Sequence, residues 1–254
     1  MGVLNVTPDS FSDGGRFFDR EQAIDHAHQL IAEGADIIDV GGESTRPGAA
    51  PVTEAEELRR VVPVIEAIAG QVRVSVDTRK AGVARAAVDG GATLVNDVSA
   101  TLGAVAAESG VGWVAMHMQG DPASMQDAPR YDDVVTDVRD FLVQRATLAV
   151  ADGVEEVWID PGIGFGKSTA HNLSLLAHLD VLVATGFPVV VGTSRKRFLG
   201  SLLGASDGAD EPAALDDRLE GSLATATWAM AQGVQMVRVH DVRATAEAAK
   251  VVAA

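Results

Sequence analysis

The chain has no cysteine in its 254 residues, so neither a disulfide framework nor a thiolate metal centre is available to it. Long hydrophobic runs are missing as well. No apolar stretch approaches the ~18 residues that a bilayer span needs, and no basic and apolar leader precedes a small-residue cleavage site. A soluble, cytoplasmic protein is therefore the expectation. Basic residues are scarce: 20 Lys and Arg face 36 Asp and Glu, and the net charge of −16 argues against a broad surface that tracks nucleic-acid phosphates. No Pro/Ser-rich linker, charge block or compositional shift divides the chain, and its 47% hydrophobic residues suffice for one large core, so a single domain over 1–254 is expected.

What is there is an eightfold alternation. Short β-branched runs bounded by Gly, Pro or Asp predict strands at Val3–Val6, Ile37–Val40, Val72–Val76, Thr93–Asn96, Trp113–Met116, Val157–Ile159, Pro188–Val191 and Met236–Val239. Helical periods lie between them, for example at Arg20–Glu33, Glu54–Ala69, Lys80–Asp89, Val134–Ala151 and Arg218–Gln232. Strict alternation predicts an α/β fold with a parallel sheet, and eight units favour closure into a (β/α)8 TIM barrel, which commonly takes ~250 residues. An open doubly wound sheet is the alternative.

Each run ends in a polar or charged residue: Asn5, Asp39, Asp77, Asn96, His117, Asp160, the Ser194–Lys196 turn, and Arg238 with His240. In a parallel barrel all carboxyl ends open on one face, so these groups are expected to converge there as an active site. Two βα connections, Thr7–Asp19 and Gly41–Thr53, are long and carry Phe11 and Arg46. Long loops on the carboxyl face of a rigid scaffold are where binding and gating usually sit.

Several motifs fail on inspection. Pro161-Gly-Ile-Gly-Phe-Gly-Lys167-Ser168 approaches a phosphate loop, but that pattern needs glycine where Pro161 stands. The same stretch lacks the full spacing of a dinucleotide fingerprint. His26 and His28 are two apart on a predicted helix and point in different directions, and no His-Glu-x-x-His is present, so no structural zinc site is offered.

The converging residues suit a particular chemistry. Asp77, Asn96, Asp160 and Lys196 would present two carboxylates, an amide and an ammonium to one pocket, a mixture that matches a flat heterocycle bearing an amino group, a ring N–H and a carbonyl. Met116 and Phe165 would cover the ring faces. For Asp77 and Asn96 the competing role is to cap the helices that follow their strands. Asn5, Arg46, Arg238 and His240 would form an adjoining cradle for a phosphate or diphosphate, neighbours only if the barrel closes. A magnesium ion, which keeps most of its waters, would join through diphosphate oxygens with Asn5 as its protein contact. The adjacent Arg195, Lys196 and Arg197 in so acidic a chain also point to a small anionic substrate.

At these residues the chain resembles the dihydropteroate synthase family. The resemblance runs through Met1-Gly-Val-Leu-Asn-Val-Thr-Pro-Asp-Ser-Phe-Ser-Asp-Gly14, Asp39-Val-Gly-Gly-Glu-Ser-Thr-Arg-Pro-Gly48, Ser75-Val-Asp-Thr78, Asn96-Asp-Val-Ser99, Met116-His-Met-Gln-Gly120, Asp160-Pro-Gly-Ile-Gly-Phe-Gly-Lys167, Ser194-Arg-Lys196 and Arg238-Val-His-Asp241. It covers essentially the whole chain in order, and the first two segments are very specific. It implies an alkyl transferase of folate synthesis, a sulfonamide target, that joins 4-aminobenzoate to 6-hydroxymethyl-7,8-dihydropterin diphosphate. By that similarity Asp77, Asn96, Asp160 and Lys196 hold the pterin, with Met116, Phe165 and Arg238 lining it. Asn5, Arg46, Arg238 and His240 bind the diphosphate, Asn5 also touching magnesium, and Phe11, Thr45, Pro47 and Lys196 form the aminobenzoate site.

The chain departs from the family's pattern in three places, the first being that it opens within the first strand, where relatives usually have several residues before Met-Gly-Val-Leu-Asn. Arg197 stands where many relatives have Ser, and Ser99–Ser109 is shorter than usual. Three rivals remain at this level. A methyltetrahydrofolate:corrinoid methyltransferase shares barrel and pterin pocket but has no use for Arg46. A Schiff-base aldolase would place Lys196 inside a strand. A non-catalytic paralogue would bind pterin without turnover. Leu223–Met230 is a candidate homodimer face, with ordinary barrel packing the alternative.

Overall fold

A computed structural model describes residues 1–7, 16–44, 51–121 and 124–254, and for residues 16–19 the backbone alone. Strands and helices alternate as β1 Gly2–Asn5, α1 Arg16–Ala32, β2 Ile37–Gly41, α2 Glu54–Ile68, β3 Arg73–Asp77, α3 Ala81–Asp89, β4 Leu94–Asp97, α4 Gly103–Ser109 and β5 Gly112–Met116. The second half continues with α5 Val134–Ala151, β6 Val157–Asp160, α6 Thr169–Ala177, α7 Leu179–Val183, β7 Val190–Val191, α8 Arg197–Ser206, α9 Leu219–Ala231, β8 Met236–Val237 and α10 Val242–Val252.

Strands β1 to β6 pair in sequence order, all parallel, and β7 pairs with β8. Single parallel bridges join Ile159 to Val189 and Gly2 to Val239, with Val3 N donating to Val239 O at 2.9 Å and Ile159 N to Pro188 O at 3.0 Å. The ring is therefore closed, and the open-sheet alternative falls. Strands β7 and β8 are shorter than the expected Pro188–Val191 and Met236–Val239. Pro188 has no N–H to give a ladder, and the amide of Val189 goes to the side-chain oxygen of Gln235 at 2.8 Å.

Closure creates two apolar layers. Inside the barrel sit Met1, Ile37, Leu94, Val114, Val190 and Met236, with Trp158 against them. The larger layer lies between the outer strand faces and the helices, where Leu4, Ile38, Val40, Val74, Val76, Ile65 and Leu142 are fully covered. β2 shows the cause: Ile-Ile-Asp-Val-Gly is buried at every position because a parallel barrel strand has no wet face. At the amino end an ion pair plugs the interior, Arg73 reaching Glu156 with both terminal nitrogens at 2.9 and 2.5 Å. A Cβ on Gly112 would lie 2.8 Å from Glu156 Oε2 and from Leu94 Cδ1, so a larger residue there would have to displace the plug.

Asp97, one residue past Asn96, faces outward and organises the chain between β4 and α4. Its carboxylate accepts from the amides of Ser99, Thr101 and Leu102 at 2.9, 2.7 and 2.7 Å and from Trp113 Nε1 at 3.3 Å. Asp97→Ala would orphan the buried donors of Leu102 and Trp113, each costing ~1–3 kcal/mol. A loss of about 2–3 kcal/mol in urea-unfolding free energy is expected, and a change below ~0.5 kcal/mol would refute this account.

Candidate functional site

Strand register decides which side chains share the mouth. Asn5 pairs with Gly41, Gly41 with Asp77 and Asp77 with Asn96, so three polar side chains and one glycine stand in a row across four neighbouring strands. A Cβ on Gly41 would come within 3.4 Å of Asp77 Cβ and 3.7 Å of Asn5 Oδ1; its absence leaves the row open above the floor. On the opposite wall Met116 pairs with Asp160. Neither Asp77 nor Asn96 caps a helix: α3 and α4 begin without side-chain caps at Lys80 and Leu102.

The floor is Asp39, two residues deeper on β2 and 0% exposed. Its Oδ2 accepts from Arg238 Nε at 2.6 Å and from Asn96 Nδ2 at 2.9 Å, while Oδ1 and the hydroxyl of its register neighbour Ser75 are buried without a partner. Arg238 also donates through Nη2 to Asp77 Oδ2 at 2.7 Å. One guanidinium thus ties together carboxylates from β2 and β3. Burial opposes its charge, yet Asp39 and Asp77 hold it above the usual guanidinium range. For Asp77 burial dominates: it raises the carboxyl to about 7, against the pull of Arg238, with Asp39, Glu57 and Asp97 adding to the rise.

That shift has a measurable sign. A carboxyl raised in the folded state keeps a proton that the unfolded chain, near ~3.9, gives up. Its contribution to stability is present below ~4 and is lost as pH rises through about 7. In Asp77→Asn the fall of unfolding free energy between those limits should flatten relative to the parent in paired urea titrations. Identical slopes would contradict the shift.

The sixth loop and the turn after β7 build the other wall. Asp160 Oδ1 accepts from Gly162 N at 2.7 Å, and burial raises the Asp160 carboxyl against the pull of Lys196. Lys196 Nζ donates to the carbonyl of Ile163 and lies 4.6 Å from the centroid of the Phe165 ring. Burial lowers Lys196 to about 8, Asp160 pulling the other way and Arg238 reinforcing burial. The Ser194–Lys196 turn is fixed from outside the site. Arg195 takes a left-handed φ of 58°, its amide donates to Ser222 Oγ at 3.0 Å, and its carbonyl accepts from Arg218 Nη1 at 3.0 Å. Ser194 Oγ meets both the backbone amide of His240 at 3.1 Å and its Nδ1 at 3.0 Å.

The structure therefore brings Asn5, Asp77, Asn96, Met116, Asp160, Phe165, Lys196, Arg238 and His240 to the carboxyl end of one barrel. Phe11, Thr45, Arg46 and Pro47 lie outside the described residues. Two members of the basic Arg195–Arg197 run stay out of the cavity, since Arg195 reaches Asp241 and Arg197 is exposed. His117, expected at the mouth, is behind the wall. It stacks edge-on against Phe141 of α5 at 5.0 Å, and its Nδ1 meets Lys167 Nζ at 2.9 Å. Period-two alternation is the reason: Met116 points inward, so the next side chain points out.

Sequence reasoning assigned no role to Asp39, Ser194 or Lys167, although the first two were noted as strand ends. A further network ties together the described ends of the second connection. Glu43 accepts from Val52 N at 3.1 Å, Arg79 Nη2 at 3.2 Å and Lys80 Nζ at 2.5 Å, and Lys80 also reaches Glu57 at 2.5 Å. Glu43 and Val52 bracket the Ser-Thr-Arg-Pro-Gly segment. Burial raises the Glu43 carboxyl, but Lys80, Val52 and Arg79 outweigh it and hold the group below its usual range.

A model of the pterin binding enzyme family matches residues 1–240. The chain belongs to that family. It is 49% identical to the dihydropteroate synthase of Mycobacterium leprae over 263 residues, covering 100% of this chain and 92% of that protein. A crystal structure of Xanthomonas albilineans dihydropteroate synthase with 4-aminobenzoic acid superposes with a TM-score of 0.90 at 48% identity, covering 99% of this chain and 90% of that one. The same enzyme in complex with 7,8-dihydropteroate gives a TM-score of 0.86 at 45% identity, with 99% and 90% covered.

Proposed function

We propose that the chain is a dihydropteroate synthase, condensing 6-hydroxymethyl-7,8-dihydropterin diphosphate with 4-aminobenzoate to give 7,8-dihydropteroate and diphosphate. The observation that carries this reading is the clustering of Asp77, Asn96, Asp160 and Lys196 about one slot with Arg238 at its edge. A pterin carries an amino group and ring N–H donors on one edge and a carbonyl acceptor beside them. Asp160 and Asp77 supply the acceptors, Lys196 the donor, and Met116 and Phe165 the apolar faces. Unpaired buried groups of this kind reject analogues by up to ~10⁴-fold.

In the reaction the bond from the exocyclic methylene carbon to the diphosphate oxygen breaks, its electron pair leaving with diphosphate. The arylamine lone pair then forms the new C–N bond and the nitrogen loses a proton. Conjugation with the electron-rich dihydropterin spreads the positive charge of the methylene over the ring, where the ring-facing carboxylates stabilise it. No covalent nucleophile is needed. Lys196 holds the ring and borders the aminobenzoate, with Phe11, Thr45 and Pro47 completing that subsite. Arg46, Arg238, His240 and Asn5 receive the diphosphate.

A divalent cation completes this reading. Among the described residues no group of three or more His, Asp or Glu is disposed to hold a metal, whereas Asn5 offers one hard oxygen. That donor set fits magnesium held mainly by diphosphate oxygens and water. When bound it would neutralise charge on the leaving group.

We also propose a cytoplasmic homodimer acting as one domain. Among the described residues no helix is long and apolar enough to cross a membrane, and α9 leaves Trp228 48% exposed on the Leu223–Met230 face. Light scattering should give twice the chain mass, and a monomer at micromolar concentration would refute the pairing.

The deciding experiment is a coupled assay of diphosphate release with each substrate omitted in turn. Release that requires both 4-aminobenzoate and the pterin diphosphate is expected. Binding of pterin without release would make the chain a non-catalytic paralogue, and release indifferent to 4-aminobenzoate would remove the condensation.

A further inference from the structure

Lys167 closes the glycine-rich stretch that approaches a phosphate loop in sequence, and it does something else. Its ammonium is turned inward and the residue is 2% exposed. Nζ donates to the carbonyl oxygens of Gly162 and Phe165, both at 3.0 Å, and of His117 at 3.2 Å, and it meets His117 Nδ1 at 2.9 Å. Burial pushes His117 down to about 3, with Lys167 adding to the fall, so the imidazole is neutral and Nδ1 is free to accept. No carboxylate touches the ammonium among its hydrogen bonds. A buried cation held by dipoles alone is costly, and burial lowers Lys167 to about 7 although Asp160 pulls the other way. Such an arrangement in a core is a functional candidate rather than packing.

What Lys167 holds is the wall of the slot. The loop it gathers supplies Gly162 N to Asp160, the Ile163 carbonyl to Lys196, and the Phe165 ring beside the Lys196 ammonium. Gly162, Gly164 and Gly166 take φ values of 63°, 85° and 61°, and a Cβ at Gly162 would run into the carbonyl of His117. The loop is thus folded tightly onto the end of β5. Asn172 Oδ1 accepts from Gly164 N at 2.7 Å and Tyr131 donates to Gly166 O at 2.7 Å, but these bind the loop's outer edge. Phe165 N donates to Gly162 O at 3.0 Å within the loop, and Lys167 joins both of these limbs to the neighbouring strand end at His117.

We propose that Lys167, with His117 as its acceptor, is a positioning residue that sets the ring-binding wall and so acts on pterin affinity through Asp160 and Lys196. This rests on the reading of the slot as a pterin site. Three measurements test it on Lys167→Met, close in volume, and on His117→Phe, which keeps the ring packing against Phe141 and Tyr131 but removes the acceptor. Hydrogen exchange of residues 161–167 should quicken at least tenfold while β1 to β3 stay unchanged. The calorimetric Kd for 6-hydroxymethylpterin should rise at least tenfold in Lys167→Met and severalfold in His117→Phe. The KM for the pterin diphosphate should rise in parallel with kcat within about threefold. Because His117 lies behind the wall and touches no proposed ligand position, loss of affinity together with faster exchange confined to residues 161–167 assigns its effect to the loop, which keeps the test alive if Lys167→Met folds poorly. Pterin affinity within twofold of the parent in a folded variant would overturn the proposal, whatever the melting temperature does. Parent enzyme that binds pterin but releases no diphosphate would overturn the proposed reaction, while a tenfold affinity loss in the variants would still support the positioning role.

Discussion

Arg238→Met should lower the unfolding free energy by about 3–5 kcal/mol at neutral pH and abolish turnover. Removing one partner of a buried ion pair leaves the other charge stranded, and that range is typical of the penalty. Here two carboxylates are stranded at once, Asp39 fully buried with its other oxygen already unpartnered, and Asp77 beside it. Urea denaturation reads the loss. The gap between variant and parent should narrow as pH falls from 7 to 5. Without Arg238 the Asp77 carboxyl loses the pull that opposes its burial and is raised further, so protonation favours the folded variant. Adding Asp39→Asn to Arg238→Met should recover part of the loss, because a neutral amide then occupies the buried floor. A penalty below 1 kcal/mol, or a gap indifferent to pH, would mean that the triad is not what holds β2, β3 and β8 in place.

Asp160→Asn isolates recognition from folding. The asparagine Oδ1 can still accept from Gly162 N, which keeps the loop contact seen at 2.7 Å, and burial of a neutral amide costs less than burial of a carboxylate. Stability should change by less than about 1 kcal/mol. The second position becomes an NH2 donor facing the donor edge of a pterin, so one hydrogen bond is lost and replaced by opposed donors. A loss of ~10³–10⁴ in pterin affinity follows, toward the lower end for sites that reject a mismatched hydrogen-bond partner. Isothermal calorimetry with 6-hydroxymethylpterin checks it, and an affinity within threefold of the parent would remove Asp160 from the ring site.

The two substitutions probe different halves of one arrangement that the sequence partly reveals. Ile37-Ile-Asp-Val-Gly41 reads as a strand from its β-branched content, and the same alternation says that Asp39 and Gly41 face one way while Ile38 and Val40 face the other. Applied strictly, it also sends His117 and Asp97 outward, because each follows an inward residue by one. Treating every polar strand end as part of the mouth overlooked that step. Depth was harder to read. Asp39 and Asp77 look alike as acidic residues near strand ends, but register lowers Asp39 to the floor, where it binds protein groups instead of facing the opening. Lys167 was legible only as a failed phosphate loop. Nothing local says whether a lysine after a glycine-rich turn reaches out to an anion or inward to its own carbonyls.

The amino-acid sequence alone determined the alternation of strands and helices, the facing of each strand residue, and the chemical character of the groups at the carboxyl ends. Those follow from local stereochemistry, in which side-chain direction repeats every two residues along a strand. Tertiary structure decided the partners. Arg238 finds Asp39 across 199 residues and Asp77 across 161 because the bridge between Gly2 and Val239 sets β8 against β1 in one register. A slip of one residue in that closure would turn Arg238 out of the barrel, since neighbouring positions point to opposite faces.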